Sequence, residues 1–145
     1  MAELQGAEKQ RYVAYLFSRI SGRYDLMNDL MTLGMHRRWK KQTAALAAED
    51  LSGSAIDVSC GTGDLAMELA RRPGLEHTVG LDLLQGMVTQ ANAKARTAGT
   101  SDAITMITGD ALSLPFADDS FACATAGFSL RNMPSIEKAL SEMIR

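Results

Sequence analysis

The stretch Ala55-Ile-Asp-Val-Ser-Cys-Gly-Thr-Gly-Asp-Leu-Ala66 decides the fold of this chain. Its apolar run leads into a turn built on Gly61 and Gly63, and helix-forming residues follow. A second apolar run ends in Asp82, nineteen positions after Gly63. This order predicts a strand, a glycine turn, a helix and a second strand with an acid at its tip. It is the layout of a site for an adenosine-containing cofactor.

The residue types in this layout suit that role. Gly61 and Gly63 let the backbone turn sharply and approach a ligand without a Cβ in the way. The helix predicted from Asp64 to Arg72 directs its free N–H groups and positive dipole end at the same spot. Asp82 is placed to accept both hydroxyl hydrogens of a ribose.

Asp57 indicates which cofactor is bound. The spacing Gly61-x-Gly63-x-x-Ala66 also fits the nicotinamide dinucleotide fingerprint. An acid four positions before Gly61 would repel the pyrophosphate of a dinucleotide, whereas it would attract the cationic end of S-adenosylmethionine. Asp57 therefore favours S-adenosylmethionine, although a plain turn-capping role for its carboxylate is compatible with the same pattern.

Strand and helix patterns alternate along the rest of the chain, which predicts an α/β fold with a parallel sheet and crossover helices. Strands are expected at 55–59, 78–82, 104–107 and 121–126, and helices at 64–72, 86–98 and 135–144. Three amphipathic stretches, at about 7–20, 25–31 and 36–48, come first. We therefore expect a helical cap segment over 1–50 and a Rossmann-like cofactor-binding portion over 51–145.

The third predicted strand leads into Gly109-Asp110-Ala111, which puts a second acid at the ligand-binding edge of the sheet. Asp110 is a candidate partner for an adenine amino group. The alternative is an ordinary loop acid.

Composition narrows the class of protein. The chain is 46% apolar and 22% charged with a net charge of −2, as expected for a soluble globular domain and not for a nucleic-acid-binding one. Cys60 and Cys123 do not suggest a disulfide scaffold and fit reduced thiols in the cytoplasm. No metal-ligand spacing is present. No run approaches the roughly 20 apolar residues that cross a bilayer.

The basic cluster His36-Arg-Arg-Trp-Lys-Lys41 admits three interpretations. It is a solvated helix face with Trp39 turned into the core, a contact with anionic lipid head groups, or a contact with nucleic-acid phosphates.

Several motifs together resemble the UbiE/COQ5 family of quinone-biosynthesis C-methyltransferases, from about residue 15 to residue 145. They are Asp57-x-x-Cys-Gly-Thr-Gly-Asp64, Gly80-Leu-Asp82, Gly109-Asp-Ala-x-x-Leu-Pro-Phe116, Leu130-Arg-Asn132, Tyr24-Asp-Leu-Met-Asn28 and Gly34-x-His-Arg-x-Trp39. The resemblance implies methylation of a ring carbon of a prenylated quinol with S-adenosylmethionine. With the reduced cysteines and the basic cluster, such a substrate leads us to expect a cytoplasmic enzyme with a peripheral contact at the inner membrane surface.

The resemblance assigns cofactor contacts to Thr62, Asp82, Asp110 and Ala111. Arg131 and Asn132 follow the fourth predicted strand and are expected to hydrogen-bond the quinol oxygen as catalytic residues. Plain alternatives are that Arg131 pairs with a surface acid and that Asn132 caps the last helix.

The N-terminal segment supplies candidate substrate contacts. Tyr24 and Asn28 are expected to close over the pocket, and the alternative for Tyr24 is a place in the core.

Two features depart from the family pattern. Gly127 and Ser129 stand where a serine and a glycine are expected, respectively. The chain also stops at Arg145, before three strands that class I methyltransferases carry. A truncated chain, a natural half-protein and completion by a second or identical chain are the three expected explanations. The rival functions are a non-catalytic cofactor-binding subunit, an NAD-dependent oxidoreductase and, against the net charge, an RNA methyltransferase.

Overall fold

The fold is taken from a computed structural model, which describes residues 6–20 and 24–145. Its helices are α1 (Gly6–Ile20), α2 (Tyr24–Thr32), α3 (Met35–Ala47), α4 (Asp64–Ala70), α5 (Gln85–Thr97) and α6 (Ile136–Ile144). Its strands are β1 (Gly53–Val58), β2 (Leu75–Asp82), β3 (Ile104–Thr108) and β4 (Cys123–Thr125).

The four strands form one parallel sheet in the order β3-β2-β1-β4. The prediction of a Rossmann-like α/β fold is therefore confirmed. The order reverses between β1 and β4, and the carboxyl ends of these two strands flank the glycine turn. Open α/β sheets bind ligands at such a switch point.

Helices cover both faces of the sheet, as the alternation along β1 shows. Ile56 and Val58 point toward α6, where they pack in a cluster with Leu81 and Ala139. Ala55 points the other way, into a cluster with residues of α3 and α4. Since both faces of β1 are buried, its apolar run is nearly continuous.

Several strand boundaries differ from the sequence prediction, most of all those of β2 and β4. β2 begins at Leu75, three residues earlier than expected, because its first residue pairs with Gly53 of β1. β4 is only three residues long, since its pairing with β1 stops at Thr125. Beyond it the chain leaves the sheet, and Phe128 adopts a left-handed conformation (φ 62°).

Candidate functional site

The glycine turn after β1 is built by backbone conformations that favour glycine. Gly61 (φ 56°) and Gly63 (φ 83°) are both left-handed, and Gly63 directly precedes α4. A Cβ on Gly63 would lie 2.6 Å from the Cε of Met106 and 3.0 Å from the Cβ of Ala91. Glycine at this position therefore lets β3 and α5 pack closely beneath the turn.

Asp82 fastens this turn to the end of β2. Its Oδ2 accepts a hydrogen bond from the N–H of Gly61 at 2.8 Å, and its Oδ1 accepts one from Leu84 at 2.9 Å. Burial raises the pKa of Asp82, and these backbone N–H groups oppose the rise. A carboxylate has about four acceptor positions, so two remain for hydroxyl donors of a ligand.

A cavity of about 120 Å³ lies beside Asp82. Its walls come from α1, the ends of β1 and β2, and the segment after β4; they include Val13, Phe17, Gly61, Asp82, Ser129 and Asn132. α1 covers the cavity, which is a role that the sequence led us to expect of Tyr24 and Asn28.

Asp57 is fully buried under the turn, where it accepts a hydrogen bond from Thr125 Oγ1 at 2.8 Å. Burial raises its pKa to about 7, while the hydrogen bond from Thr125 and the charge of Lys40 act in the opposite direction. A small second cavity is lined by Asp57, Lys40 and the turn, and it shares Gly61 and Phe128 with the first. The two cavities therefore surround the same turn.

Thr62 joins a charged network on the outer side of the turn. Its hydroxyl donates to Asp25 Oδ1 of α2 at 2.6 Å and accepts from Lys94 Nζ of α5 at 3.1 Å. Lys94 also binds Asp25 Oδ2 at 2.7 Å and Asp64 Oδ1, and Lys40 of α3 binds Asp64 Oδ2 at 2.8 Å. Burial would raise the pKa of Asp64, but the two lysines outweigh it and lower that pKa.

This network explains why a wider cleft, of about 580 Å³, is a weaker candidate site. It lies between α2, α3, α4 and α5, and among its walls are Asp25, Lys40, Asp64 and Lys94. These charges already pair with one another, and Asp82 does not line the cleft.

The structure brings together only part of the predicted site. Asp82, Gly61 and Asn132 line the 120 Å³ cavity. Arg131 is exposed in the short 3₁₀ turn Leu130–Asn132 and does not line it.

Three other predicted residues also lie outside the cavity walls. Asp110 accepts a hydrogen bond from its own loop, from Leu112 N at 2.9 Å, and Ala111 packs in the core. Asn28 is half-buried on α2. The side chain of Tyr24 lies outside the described part of the structure.

Ser129, which stands where the family pattern led us to expect a glycine, is a polar residue of the cavity wall. Its Oγ is buried and has no hydrogen-bond partner among the described residues, and the residue lines the cavity beside Asp82. Buried hydroxyls are nearly always paired, so an unpaired one in a cavity wall is where a polar ligand atom fits. The residue's position in the segment after β4 was the only sequence indication of this.

No group of three or more His, Cys, Asp or Glu side chains in the described part of the chain is arranged to hold a metal ion. Among the described helices, none is long and apolar enough to cross a membrane.

Comparison with known proteins identifies the family of this chain. A model of the ubiE/COQ5 methyltransferase family matches residues 4–145. The chain belongs to the ubiE/COQ5 methyltransferase family. The family resemblance found in the sequence motifs is therefore confirmed.

Curated relatives agree with the family. The chain is 37% identical to a ubiquinone/menaquinone biosynthesis C-methyltransferase UbiE of Roseobacter denitrificans, over 95% of this chain and 55% of that protein. It is 42% identical to a demethylmenaquinone methyltransferase of Roseiflexus castenholzii, over 95% of this chain and 56% of that protein. The chain thus spans a little over half the length of these relatives.

Solved structures show the same fold. A Haloferax volcanii protein, solved in complex with the Trm112 methyltransferase activator, has a TM-score of 0.72 at 26% identity, covering 92% of this chain and 54% of that one. A candidate S-adenosyl-L-methionine-dependent methyltransferase from Methanococcus maripaludis has a TM-score of 0.73 at 18% identity, covering 86% and 56%. The second likeness concerns the fold alone.

Proposed function

We propose that this chain forms the cofactor-binding part of an S-adenosylmethionine-dependent methyltransferase that acts on a ring carbon of a prenylated quinol. One observation carries the proposal. The carboxylate of Asp82, the glycine turn and the unpaired hydroxyl of Ser129 converge on one cavity at the switch point of the sheet. The printed activities of the curated relatives support the choice of substrate.

The residues present fit this cofactor. The remaining acceptor positions of Asp82 would hold the ribose hydroxyls, and the turn at Gly61–Gly63 would carry the amino-acid end. Asp57 would attract the positive charge there, because it lies directly beneath the turn. Asp110 and Ala111 follow β3, next to β2 in the sheet, on the side where the adenine would lie.

Thr62 plays a positioning role in this proposal. Its hydroxyl is held by Asp25 and Lys94, so the network sets the position of the turn. The cofactor contact that the resemblance assigned to Thr62 stays a prediction.

The helix α1 would have to move when the cofactor binds. A cavity of about 120 Å³ is smaller than the roughly 300–1,000 Å³ of ordinary ligand sites. Val13 and Phe17 of α1 form one of its walls, so outward movement of this helix is the simplest way to enlarge it. The same apolar side chains would then exclude water from the bound ligands.

The chain's own residues would orient the substrate. When bound, S-adenosylmethionine supplies an activated methyl group on a sulfonium. A quinol ring carbon becomes nucleophilic when its neighbouring hydroxyl loses a proton. Asn132 lines the cavity and would hydrogen-bond that oxygen, and the adjacent Arg131 would favour its anionic form. Tyr24 and Asn28 remain proposed substrate contacts.

Several attributes of the whole protein belong to this proposal. We divide the chain into a helical cap, 1–50, and a cofactor-binding portion, 51–145. The enzyme would work in the cytoplasm, at the inner membrane surface where prenylated quinols reside. A second chain, identical or different, is the proposed partner if this chain does not turn over alone.

The positions of the predicted residues favour one second candidate function. Gly61, Asp82 and Ser129 line the cavity, but Arg131 and Asn28 do not, so the chain could bind the cofactor without transferring its methyl group. The two functions are separated by incubating the chain with S-adenosylmethionine and a short-chain demethylated quinol, and then looking for the methylated product by mass spectrometry. Product formation supports the enzyme, whereas cofactor binding without product supports the binding part. Arg131→Ala should spare cofactor binding and reduce any methyl transfer.

A further inference from the structure

Helix α2 packs its polar side against the protein and leaves its apolar side exposed. Its side chains toward the protein are polar, and four large apolar side chains lie on the outer side: Leu26, Met27, Leu30 and Met31. Leu30 is 76% exposed, and Leu33 in the following turn is 89% exposed. A surface helix normally turns its apolar stripe to the core, so the exposed stripe needs an explanation. We call Leu26, Met27, Leu30, Met31 and Leu33 the α2 apolar face.

Specific contacts hold the helix in this orientation. Asp25 binds Thr62 and Lys94, and Asp29 forms a bidentate pair with Arg37 at 2.6 and 3.1 Å. Thr32 Oγ1 lies 2.9 Å from the buried ring of His36. Rotating the helix to bury its leucines would break all of these contacts. These contacts therefore keep the apolar face exposed.

The helix that follows this face in the chain is basic. Arg37, Arg38 and Lys41 are exposed on the next helix, α3. Asp29 is the only acid between residues 26 and 48, and its carboxylate is paired with Arg37. This segment is positive although the whole chain has a net charge of −2.

A further exposed apolar side chain, on α3, lies next to the two cavities. Trp39 of α3 is 43% exposed, and its ring centroid lies 6.2 Å from that of Phe128. Phe128 is itself a wall of both cavities around the glycine turn. Because Trp39 is this exposed, the interpretation that places its side chain in the core is wrong. This aromatic pair on the cap therefore adjoins both cavities around the glycine turn.

We propose that the α2 apolar face and the cations Arg38 and Lys41 dock this protein on an anionic lipid surface. Exposed leucines would enter the boundary of the acyl chains while the basic residues meet lipid phosphates. This inference rests on the proposed function, because a prenylated substrate is dissolved in the membrane. A second copy of the chain is disfavoured as the occupant, since it would bring the basic residues of two chains together.

The test measures binding of the 145-residue chain to sedimented vesicles of phosphatidylcholine with and without phosphatidylglycerol. Binding should require phosphatidylglycerol and weaken with salt. Leu30→Glu should reduce partitioning at least roughly tenfold. Its matched control is Ile144→Glu, which places the same charge at a residue of α6 that is 82% exposed.

A second pair of variants tests the cations without touching the leucines. Replacing Arg38 and Lys41 together by Gln should cost roughly fivefold per charge on anionic vesicles. Arg96→Gln on the exposed side of α5 should leave binding unchanged. These exposed substitutions should preserve the circular dichroism spectrum, and this pair decides the matter if Leu30→Glu does not fold.

Two results would overturn the inference. One is equal, weak binding of the chain and all variants to both kinds of vesicle. The other is self-association that Leu30→Glu abolishes in size-exclusion chromatography without any vesicle binding, which would make the face a chain–chain interface. Calorimetry of S-adenosylmethionine on the same samples separates this inference from the proposed function. If the chain binds vesicles but does not bind S-adenosylmethionine, the proposed function is wrong and the inference about the membrane surface is unaffected.

Discussion

Replacing Asp57 by Asn should stabilise the fold at alkaline pH while it weakens the site. Burial raises the pKa of Asp57 from 3.8 to about 7. Between these two values the folded chain retains a proton that the unfolded chain releases, so stability falls as pH rises and the full cost is reached above about 7. At ~1.36 kcal/mol per pKa unit, the cost approaches about 4 kcal/mol. Roughly 2–3 kcal/mol of this loss of stability occurs as the pH rises from about 5 to about 8.

Urea unfolding of both proteins at these two pH values measures the effect. The stability of Asp57→Asn relative to the unsubstituted chain should rise by about 2–3 kcal/mol from the lower to the higher pH, because the amide cannot ionise. Asp102→Asn, at an exposed position before β3, is the matched control and should show no such rise. S-adenosylmethionine should bind Asp57→Asn more weakly at the higher pH. If the Asn variant keeps the pH dependence of the unsubstituted chain, the ionisation of Asp57 does not control stability in this range.

Two further substitutions test the network and the unpaired hydroxyl. Lys94→Met removes the cation shared by Asp25 and Asp64 and should lower the free energy of unfolding by about 1–3 kcal/mol in urea titrations. The matched Lys138→Met on the exposed side of α6 should change it by no more than about 0.5 kcal/mol, and equal losses would contradict the network's importance. Ser129→Ala should raise the melting temperature of the cofactor-free chain and weaken its cofactor affinity, because it removes a buried hydroxyl that lacks a partner until a ligand binds. Unchanged affinity in calorimetry would take Ser129 out of the site.

The core of the fold was predictable because its determinants are local. The glycine spacing and the acid at the end of β2 fix a strand-turn-helix-strand unit, and the structure forms it with Gly61 and Asp82 hydrogen-bonded. Alternation of strand and helix patterns fixed the parallel sheet. The prediction of β4 was wrong at its ends, because its length depends on pairing with β1.

The surroundings of the turn depend on contacts between distant residues and could not be predicted. Thr62 meets Asp25 across 37 positions and Lys94 across 32. Periodicity in α1 indicated an amphipathic helix, yet it could not tell that Val13 and Phe17 would form a cavity wall. Likewise, the local sequence of α2 does not show which of its sides faces the protein. Its polar side does so because Asp25 and Asp29 bind residues outside the helix.

Isothermal calorimetry on the purified chain shows whether Asp82 and the glycine turn bind S-adenosylmethionine. We expect micromolar binding, no binding of NADH, and a loss of roughly 1.5–3 kcal/mol in Asp82→Ala, the range for hydrogen bonds to a charged group. Asp102→Ala is the matched control and should bind normally. If a cooperatively folded chain binds NADH in place of S-adenosylmethionine, or binds S-adenosylmethionine equally well without Asp82, then Asp82 and the glycine turn do not form this site.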